Sequence, residues 1–233
     1  MVGSHPPVTS SALPTDGADR PDRTTVPLVP LPRRPLDPDA RPGDRVRRWY
    51  ENELGWATVP ATRENPGGNT GLPVRLRVGD RFDVLDVPAE AGRAGLRHLV
   101  AGSPVALQGG RMRLLVAAGS AEELPGLLEW LEWRVPALDL TALGEGALMD
   151  APLPPGRRDA AQGAAVWLRP PEPGCEVEAS LPTMSAVGGV GGAPDLVRLV
   201  DTVATQCHRL RLRRGCAQPP AFPPASDQAL AFS

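Results

Sequence analysis

The chain contains no lysine, so all 25 of its basic residues are arginines. Arginine codons are rich in G and C, and this bias is typical of a protein from a GC-rich bacterium. Arginine also suits bidentate contacts with phosphate. The formal net charge is −2, which excludes a basic field over the whole protein that would draw it to nucleic acid. Any such affinity must come from a local group of arginines.

Cysteine, histidine and aromatic residues are also scarce. Cys175, Cys207 and Cys216 have neither the CxxC spacing of a metal site nor the even number of a disulfide framework. His98 and His208 have no acidic or cysteine neighbour at metal-ligand spacing, so we predict surface or edge positions for both. Aromatic residues make up 4% of the chain, too few for a stacking platform, and the tryptophans are predicted to be core or interface residues.

Long apolar runs are absent. No segment approaches the ~18 residues that span a bilayer, and the N-terminus lacks the basic and then apolar layout of a signal peptide. The sequence therefore predicts a cytoplasmic protein that does not contact a membrane.

Proline and glycine, by contrast, are abundant and unevenly placed, with 29 and 25 residues. Residues 1–41 form a proline-rich arm that is predicted to be disordered, and residues 217–233 form a similar tail. Residues 42–216 are predicted to be a single domain. Within it, a glycine-rich linker at about 185–193 precedes a C-terminal amphipathic helix.

Strand and helix patterns alternate within residues 42–216. Predicted helices are an N-terminal one capped by Asp44, one at 89–100 with Leu96 and Val100 inward, one capped by Ser120 with Glu123 at the capping-box position and one at 195–214. Predicted strands lie at 56–60, 74–78, 82–87 and 164–170, with a hairpin around Gly109 and Gly110 and a loop at 149–163. Several strands pair as neighbours, so the pattern predicts an α+β fold with a mixed or antiparallel sheet and packed helices.

The stretch FDVLDVPAEAG carries the candidate chemistry. Asp83 and Asp86 are three residues apart on a strand, so their side chains point to opposite faces and cannot clamp one metal ion without a bulge. The position two beyond Asp86, where a second carboxylate would lie on the same face, is Pro88. Asp86 is therefore predicted to cap the following helix, and a two-carboxylate metal site is the alternative.

The arginines suggest one local patch. VRLRV alternates apolar and basic residues, which places Arg75 and Arg77 on one face of a strand. Together with Arg81, Arg111 and Arg113 they could form a basic sheet surface for phosphate contacts, or they could simply be solvated.

The order of the motifs resembles the N-terminal domain of bifunctional DNA primase/polymerases, a branch of the archaeo-eukaryotic primase superfamily. The similar segments are LGWATVP at 54–60, FDVLDVPAEAG at 82–92, QGGRMRLLV at 108–116 and APLPPG with QGAAVWLRP between 151 and 170. The resemblance covers about residues 43–170, and the collinearity of the segments carries it.

The resemblance implies a D-x-D pair of carboxylates that binds the metals of nucleotidyl transfer. Asp86 matches the first position, and Pro88 replaces the second. The histidine that contacts nucleotide phosphates in the family is matched by Met112, or by Arg113 if the turn is one residue longer. The sequence therefore predicts a degenerate, non-catalytic primase/polymerase-like domain without a cofactor.

Such a pseudoenzyme would be a regulatory module or would bind nucleotide or nucleic acid such as DNA. Phosphate contacts are assigned to Arg75, Arg77, Arg111 and Arg113, and Asp83 and Asp86 are the remnants of a metal site.

Two alternatives remain open at this point. One is an active primase/polymerase in which Asp86, with Asp83 or Glu90, binds Mg²⁺ or Mn²⁺. The other is a structural domain without a nucleotide link. The C-terminal helix could contact a protein partner, but we expect its apolar stripe to pack on its own domain. We expect Asp86, Arg111 and Met112 to share one face of one sheet if the resemblance is correct.

Overall fold

The structure is a computed structural model that describes residues 42–59, 74–133, 138–156, 163–184 and 194–217. The strands are β1 Thr58–Val59, β2 Arg75–Arg77, β3 Phe82–Pro88, β4 Val105–Gln108, β5 Arg111–Ala117, β6 Thr141–Leu143, β7 Leu148–Asp150 and β8 Val166–Arg169. The α-helices are α1 Pro42–Arg48, α2 Ala89–Gly95, α3 Ser120–Trp130 and α4 Leu196–Ala217. A π-helical turn follows α1 at Trp49–Glu53, and 3-10 turns lie at Leu96–His98 and Val177–Ser180. The fold is α+β, as the sequence predicts.

The larger sheet has five antiparallel strands in the order β6-β3-β5-β4-β8. Helix α2 connects β3 to β4, a hairpin at Gly109 and Gly110 connects β4 to β5, and α3 connects β5 to β6. Because β5 lies between β3 and β4, these six elements form a split βαβ arrangement, the topology of the ferredoxin-like fold. Strand β8 extends the sheet beyond β4.

A smaller antiparallel sheet has the order β1-β2-β7. Apolar side chains from this sheet, from α1 and from one face of the larger sheet form what we call the sheet-side core. Its fully buried members include Tyr50, Leu76, Phe82, Leu115 and Met149. The Tyr50 hydroxyl donates to the Pro152 carbonyl at 2.6 Å and accepts from Trp167 Nε1 at 3.0 Å, so this core includes a satisfied polar pair.

Helices α2, α3 and α4 cover the opposite face of the larger sheet and enclose the helix-side core. The predicted stripe of α4 is buried there: Leu196, Leu199, Val200, Val203, Cys207 and Leu210. Asp195 Oδ1 accepts from the backbone N–H of Val197 at 2.9 Å and so caps this helix. The apolar face of α4 is therefore occupied by its own domain.

Close approach of α2 to β5 depends on a glycine. A Cβ atom placed on Gly92 would lie 2.4 Å from Met112 Sδ and 2.9 Å from Met112 Cβ. Met112 is fully buried, and only a residue without a side chain lets the helix lie this near to it.

Some local predictions differ from the structure. Helix α1 begins at Pro42, so Asp44 lies in its first turn and does not cap it. Helix α3 begins at Ser120 itself, so the residue before it is Gly119 and no side chain caps it. Val100 follows the 3-10 turn in which the helix ends and is 38% exposed instead of inward. Strand β7 lies in part of the segment predicted as a loop, and Trp130 is 73% exposed at the end of α3.

The predictions for residues 1–41, for the linker at 185–193 and for all but the first residue of 217–233 lie outside the described residues. In the parts of the chain that the structure describes, no helix combines the length and the apolar character needed to cross a membrane.

Candidate functional site

The candidate site lies where β3 ends and β5 begins. In the register of the two strands Asp86 faces Arg113 and Pro88 faces Arg111. These four residues therefore share one face of the larger sheet, the face that also carries the sheet-side core. The β4–β5 hairpin places Arg111 and Arg113 opposite the end of β3, which carries Asp86.

Asp86 is bound by both arginines. Arg111 Nε donates to Asp86 Oδ1 at 2.6 Å, and Arg113 Nε donates to Asp86 Oδ2 at 3.4 Å. Arg111 Nη2 also donates to the backbone carbonyl of Asp86 at 2.8 Å. Both oxygens of the carboxylate are thus engaged, and Asp86 does not cap α2, since the residue before that helix is Pro88 and no side chain caps it.

A second carboxylate, Asp139, extends the cluster towards α4. Arg111 Nη1 donates to Asp139 Oδ1, and Arg214 Nη1 lies 3.5 Å from Asp139 Oδ2. Burial lowers the pKa of Arg111, and the hydrogen bonds to Asp86 and Asp139 outweigh that effect, so the pKa is raised overall. We call Asp86, Arg111, Arg113, Asp139 and Arg214 the arginine cluster.

A cavity of about 310 Å³ adjoins the cluster between α4 and the end of β3. Its lining residues are Pro88, Asp139, Cys207, Leu210, Arg211 and Arg214. Burial raises the pKa of the Cys207 thiol to about 11, and nearby Asp139 raises it further. The thiol is therefore protonated near neutral pH and forms a neutral wall, not a nucleophile.

Of the remaining predicted arginines, Arg75 and Arg77 lie on β2 of the smaller sheet, and Arg81 immediately precedes β3 of the larger one. Arg75 Nε lies 3.6 Å from Asp150 Oδ1 and Arg77 Nε lies 3.6 Å from Asp80 Oδ2. Arg81 Nε donates to Glu178 Oε1 at 2.6 Å. The predicted basic surface is thus divided between two sheets, and a carboxylate accompanies each of these arginines.

Arg75 is linked to the cluster only indirectly. Its partner Asp150 also accepts a hydrogen bond from Gln108 Nε2 at 2.8 Å, and Gln108 faces Arg111 in the β4–β5 register.

Asp83 lies on the helix side of the sheet, away from Asp86, as the spacing predicts. Its Oδ2 accepts from the backbone N–H of Ala121 at 2.8 Å, at the first turn of α3. Burial raises the pKa of Asp83, and hydrogen bonds from the N–H groups of Ala121 and Gly119 oppose the rise. Asp83 therefore anchors the start of α3.

The residues present do not fit the two-metal site that the resemblance implies. Asp86 is held by two arginines, Pro88 supplies no ligand atom, and Asp83 faces the other way. Glu90 is bound by Arg213 Nη1 at 2.9 Å on the far side of Pro88. Among the described residues, no group of three His, Cys, Asp or Glu side chains is placed to hold a metal ion.

Met112 and Arg113 were alternative matches to the phosphate-binding histidine. Met112 faces Val87 in the register and is buried beneath α2, on the face opposite Asp86. The expectation that Met112 shares a face with Asp86 and Arg111 is therefore wrong. Arg113 does share that face, so the resemblance loses the support of the Met112 match and keeps only that of Arg113.

The two histidines of the described residues, His98 and His208, lie outside the cluster. His98 Nε2 is 2.8 Å from Thr202 Oγ1, and burial together with nearby Arg97 lowers its pKa. The ring of His208 lies against Trp133, with centroids 6.0 Å apart.

Comparison of the chain with protein-family models, with curated proteins and with solved structures found no match.

Sequence reasoning missed Asp139 and Arg214 as partners of Arg111. Asp139 lies in LDLTAL, a short segment in which no motif marks the aspartate. Arg214 is one of four arginines near the end of α4, and no local pattern distinguishes it from the other three. A signal for this pair would require knowing that the start of β6 lies beside the end of α4.

Proposed function

We propose that this chain is a non-catalytic primase/polymerase-like domain that binds a phosphate-bearing ligand, either a nucleotide or a nucleic-acid strand, at the arginine cluster. One observation carries the proposal. The carboxylate at the position of the family's first metal ligand is bound by two arginines instead of facing a second carboxylate.

The chemistry of the cluster favours an anionic ligand. Three guanidinium groups, those of Arg111, Arg113 and Arg214, face only two carboxylates, so one positive charge is in excess. Guanidinium groups bind phosphate with paired, charge-assisted hydrogen bonds. The adjoining cavity provides space for a ligand to approach two of the three arginines, since Arg214 lines it and Arg111 binds its wall residue Asp139.

Two measurements on the 233-residue chain test this proposal. In primer extension with Mg²⁺ or Mn²⁺ and labelled deoxynucleotides, we expect no incorporation. Metal-dependent incorporation that disappears in Asp86→Ala would instead establish the active primase/polymerase.

The second measurement is fluorescence anisotropy with a labelled ATP and with a labelled single-stranded DNA oligonucleotide. We expect Arg111→Gln to weaken binding of whichever probe binds by about tenfold or more, since hydrogen bonds between charged groups contribute roughly 1.5–3 kcal/mol. The matched control is Arg198→Gln, which removes the same charge from the first turn of α4, where Arg198 lies 3.4 Å from Asp195. Absence of binding by both probes, from folded protein, would contradict the proposal and favour a structural domain.

A further inference from the structure

Asp139 forms one wall of the cavity beside the arginine cluster. Asp139 belongs to no strand, since β6 begins two residues later at Thr141. Its side chain is 44% exposed, and its backbone carbonyl lies 3.5 Å from Cys207 Sγ. The carboxylate can therefore turn towards solvent without breaking the sheet.

Two arginines from separate elements converge on this one carboxylate. Arg111 of β5 binds one oxygen, and Arg214 of α4 lies beside the other. Such a bridge is the arrangement in which two guanidinium groups bind a single multivalent anion. If the Asp139 carboxylate turned away, the guanidinium groups of Arg111 and Arg214 would be left beside the cavity without this partner.

We propose that Asp139 is an internal substitute for the phosphate of a small phosphate monoester, which binds in the cavity and displaces the Asp139 carboxylate from Arg111 and Arg214. This inference rests on the proposed function and specifies its ligand class and its control. A phosphate monoester carries about −1.5 to −2 charges near pH 7 and three acceptor oxygens, against one charge and two oxygens for a carboxylate. The phosphate thus has the stronger interaction with two guanidinium groups.

The other walls of the cavity suit the remainder of such a ligand. Pro88 and Leu210 are apolar, and the Cys207 thiol is neutral. A volume of about 310 Å³ is at the small end of the range for ligand pockets, roughly 300–1,000 Å³. The cavity therefore favours a molecule of mononucleotide size over a longer strand.

Internal competition makes a distinctive prediction. Asp139 holds the arginines in the absence of ligand, so the apparent affinity equals the intrinsic affinity multiplied by the fraction of protein in which the carboxylate has turned away. Replacing the carboxylate with the neutral amide of asparagine should tighten phosphate binding, because the amide holds the two guanidinium groups less strongly.

The test is isothermal titration calorimetry of the 233-residue chain with AMP and with inorganic phosphate. We expect Asp139→Asn to bind AMP about tenfold more tightly than the unaltered chain, a change of about 1.4 kcal/mol. Arg214→Gln should bind it more weakly. The matched control, Asp201→Asn, removes the same charge from an exposed α4 position that contacts Trp133, and its affinity should be unchanged.

Several results would overturn the inference. If the unaltered chain binds AMP and Asp139→Asn binds it equally or more weakly, the inference is overturned and the proposed function is left intact. An equal gain in Asp201→Asn would show a general charge effect. If the DNA oligonucleotide bound but AMP bound neither to the unaltered chain nor to Asp139→Asn, only the small-ligand site would be contradicted. If AMP, ATP and DNA all failed to bind, both proposals would be contradicted.

Discussion

Asp86 and Arg113 lie directly opposite each other on β3 and β5, and the guanidinium of one donates to the carboxylate of the other at 3.4 Å. Their side chains are only 17% and 15% exposed. A pair this well covered is costly to break from one side, because the remaining charge stays buried without its partner. This relationship makes Asp86 a structural residue as well as a site residue.

Asp86→Ala should accordingly lower the free energy of unfolding by about 3 kcal/mol, the low end of the range for an uncompensated buried charge. The double variant Asp86→Leu with Arg113→Met should recover part of that loss, because it removes both charges of the pair and fills the space, whereas Arg111 still loses its contact with Asp86. Urea unfolding measures both effects. A loss under about 1 kcal/mol for Asp86→Ala would show that the pair behaves as a solvated surface contact.

Asp83 should contribute to the free energy of unfolding at low pH and not at high pH, which is the opposite of the effect of a carboxylate in an ion pair. Burial raises its pKa in the folded protein above the unfolded value of about 4, so the folded state binds this proton more tightly. The stability contribution is present at low pH and is lost as the pH rises through the folded pKa. Asp83→Asn should remove this dependence.

Urea midpoints measured from about pH 4 upwards test this, with half-exposed Asp80→Asn as control. A constant difference between Asp83→Asn and the unaltered chain across the range would contradict the prediction.

Gly92→Ala should destabilise the protein by about 1–3 kcal/mol, since the added methyl group would overlap Met112. Combining it with Met112→Ala should cost less than the sum of the two single changes, because the shorter side chain makes room. Gly126→Ala is the matched control in α3, where a Cβ meets nothing within 4 Å. This control should stabilise the helix by up to about 1 kcal/mol. Thermal unfolding of the four variants would show whether the two sites are coupled.

Tyr50 is the only tyrosine of the chain, so its ionisation can be followed directly by tyrosinate absorbance. Burial raises its pKa well above the ordinary value, against the smaller opposing effect of the Trp167 hydrogen bond. We therefore expect no tyrosinate signal in alkali until circular dichroism shows that the protein unfolds. A titration near the ordinary pKa of about 10, in protein that remains folded, would place the phenol in solvent.

The three thiols should separate into two classes. Cys175 and Cys216 are exposed, whereas Cys207 is buried and its pKa is raised to about 11. Because the thiolate is the reactive form, a disulfide reagent near neutral pH should modify two thiols rapidly and the third only on unfolding. Rapid modification of all three in folded protein would contradict the burial of Cys207.

The sequence predicts much of this fold because its signals are local. The alternation around Leu76, the stripe of α4 and the glycines of the β4–β5 hairpin each specify an element through neighbouring residues. Strand β7 was not predicted because Leu148–Asp150 has only three residues and is defined by its pairing with β2. The paired residues Arg77 and Leu148 are 71 positions apart in the sequence.

The site was predicted in part for the same reason. The opposite faces of Asp83 and Asp86 follow from strand geometry, and the structure confirms them. The ion pairs of Asp86 with Arg111 and Arg113 depend on the β3–β5 register, and that of Asp139 with Arg214 depends on where α4 crosses the sheet. Neither is determined by residues near in sequence.

The position of α4 in the chain also affects how the protein is made. Its buried stripe, from Leu196 to Leu210, completes the helix-side core, yet it leaves the ribosome after every strand of both sheets. During translation α2 and α3 emerge earlier, but the part of the apolar face of β3 and β5 that α4 covers stays exposed until this last helix of the described chain emerges. The nascent protein must spend that interval as a partly open sheet, which makes it a candidate for chaperone binding and for aggregation at high expression.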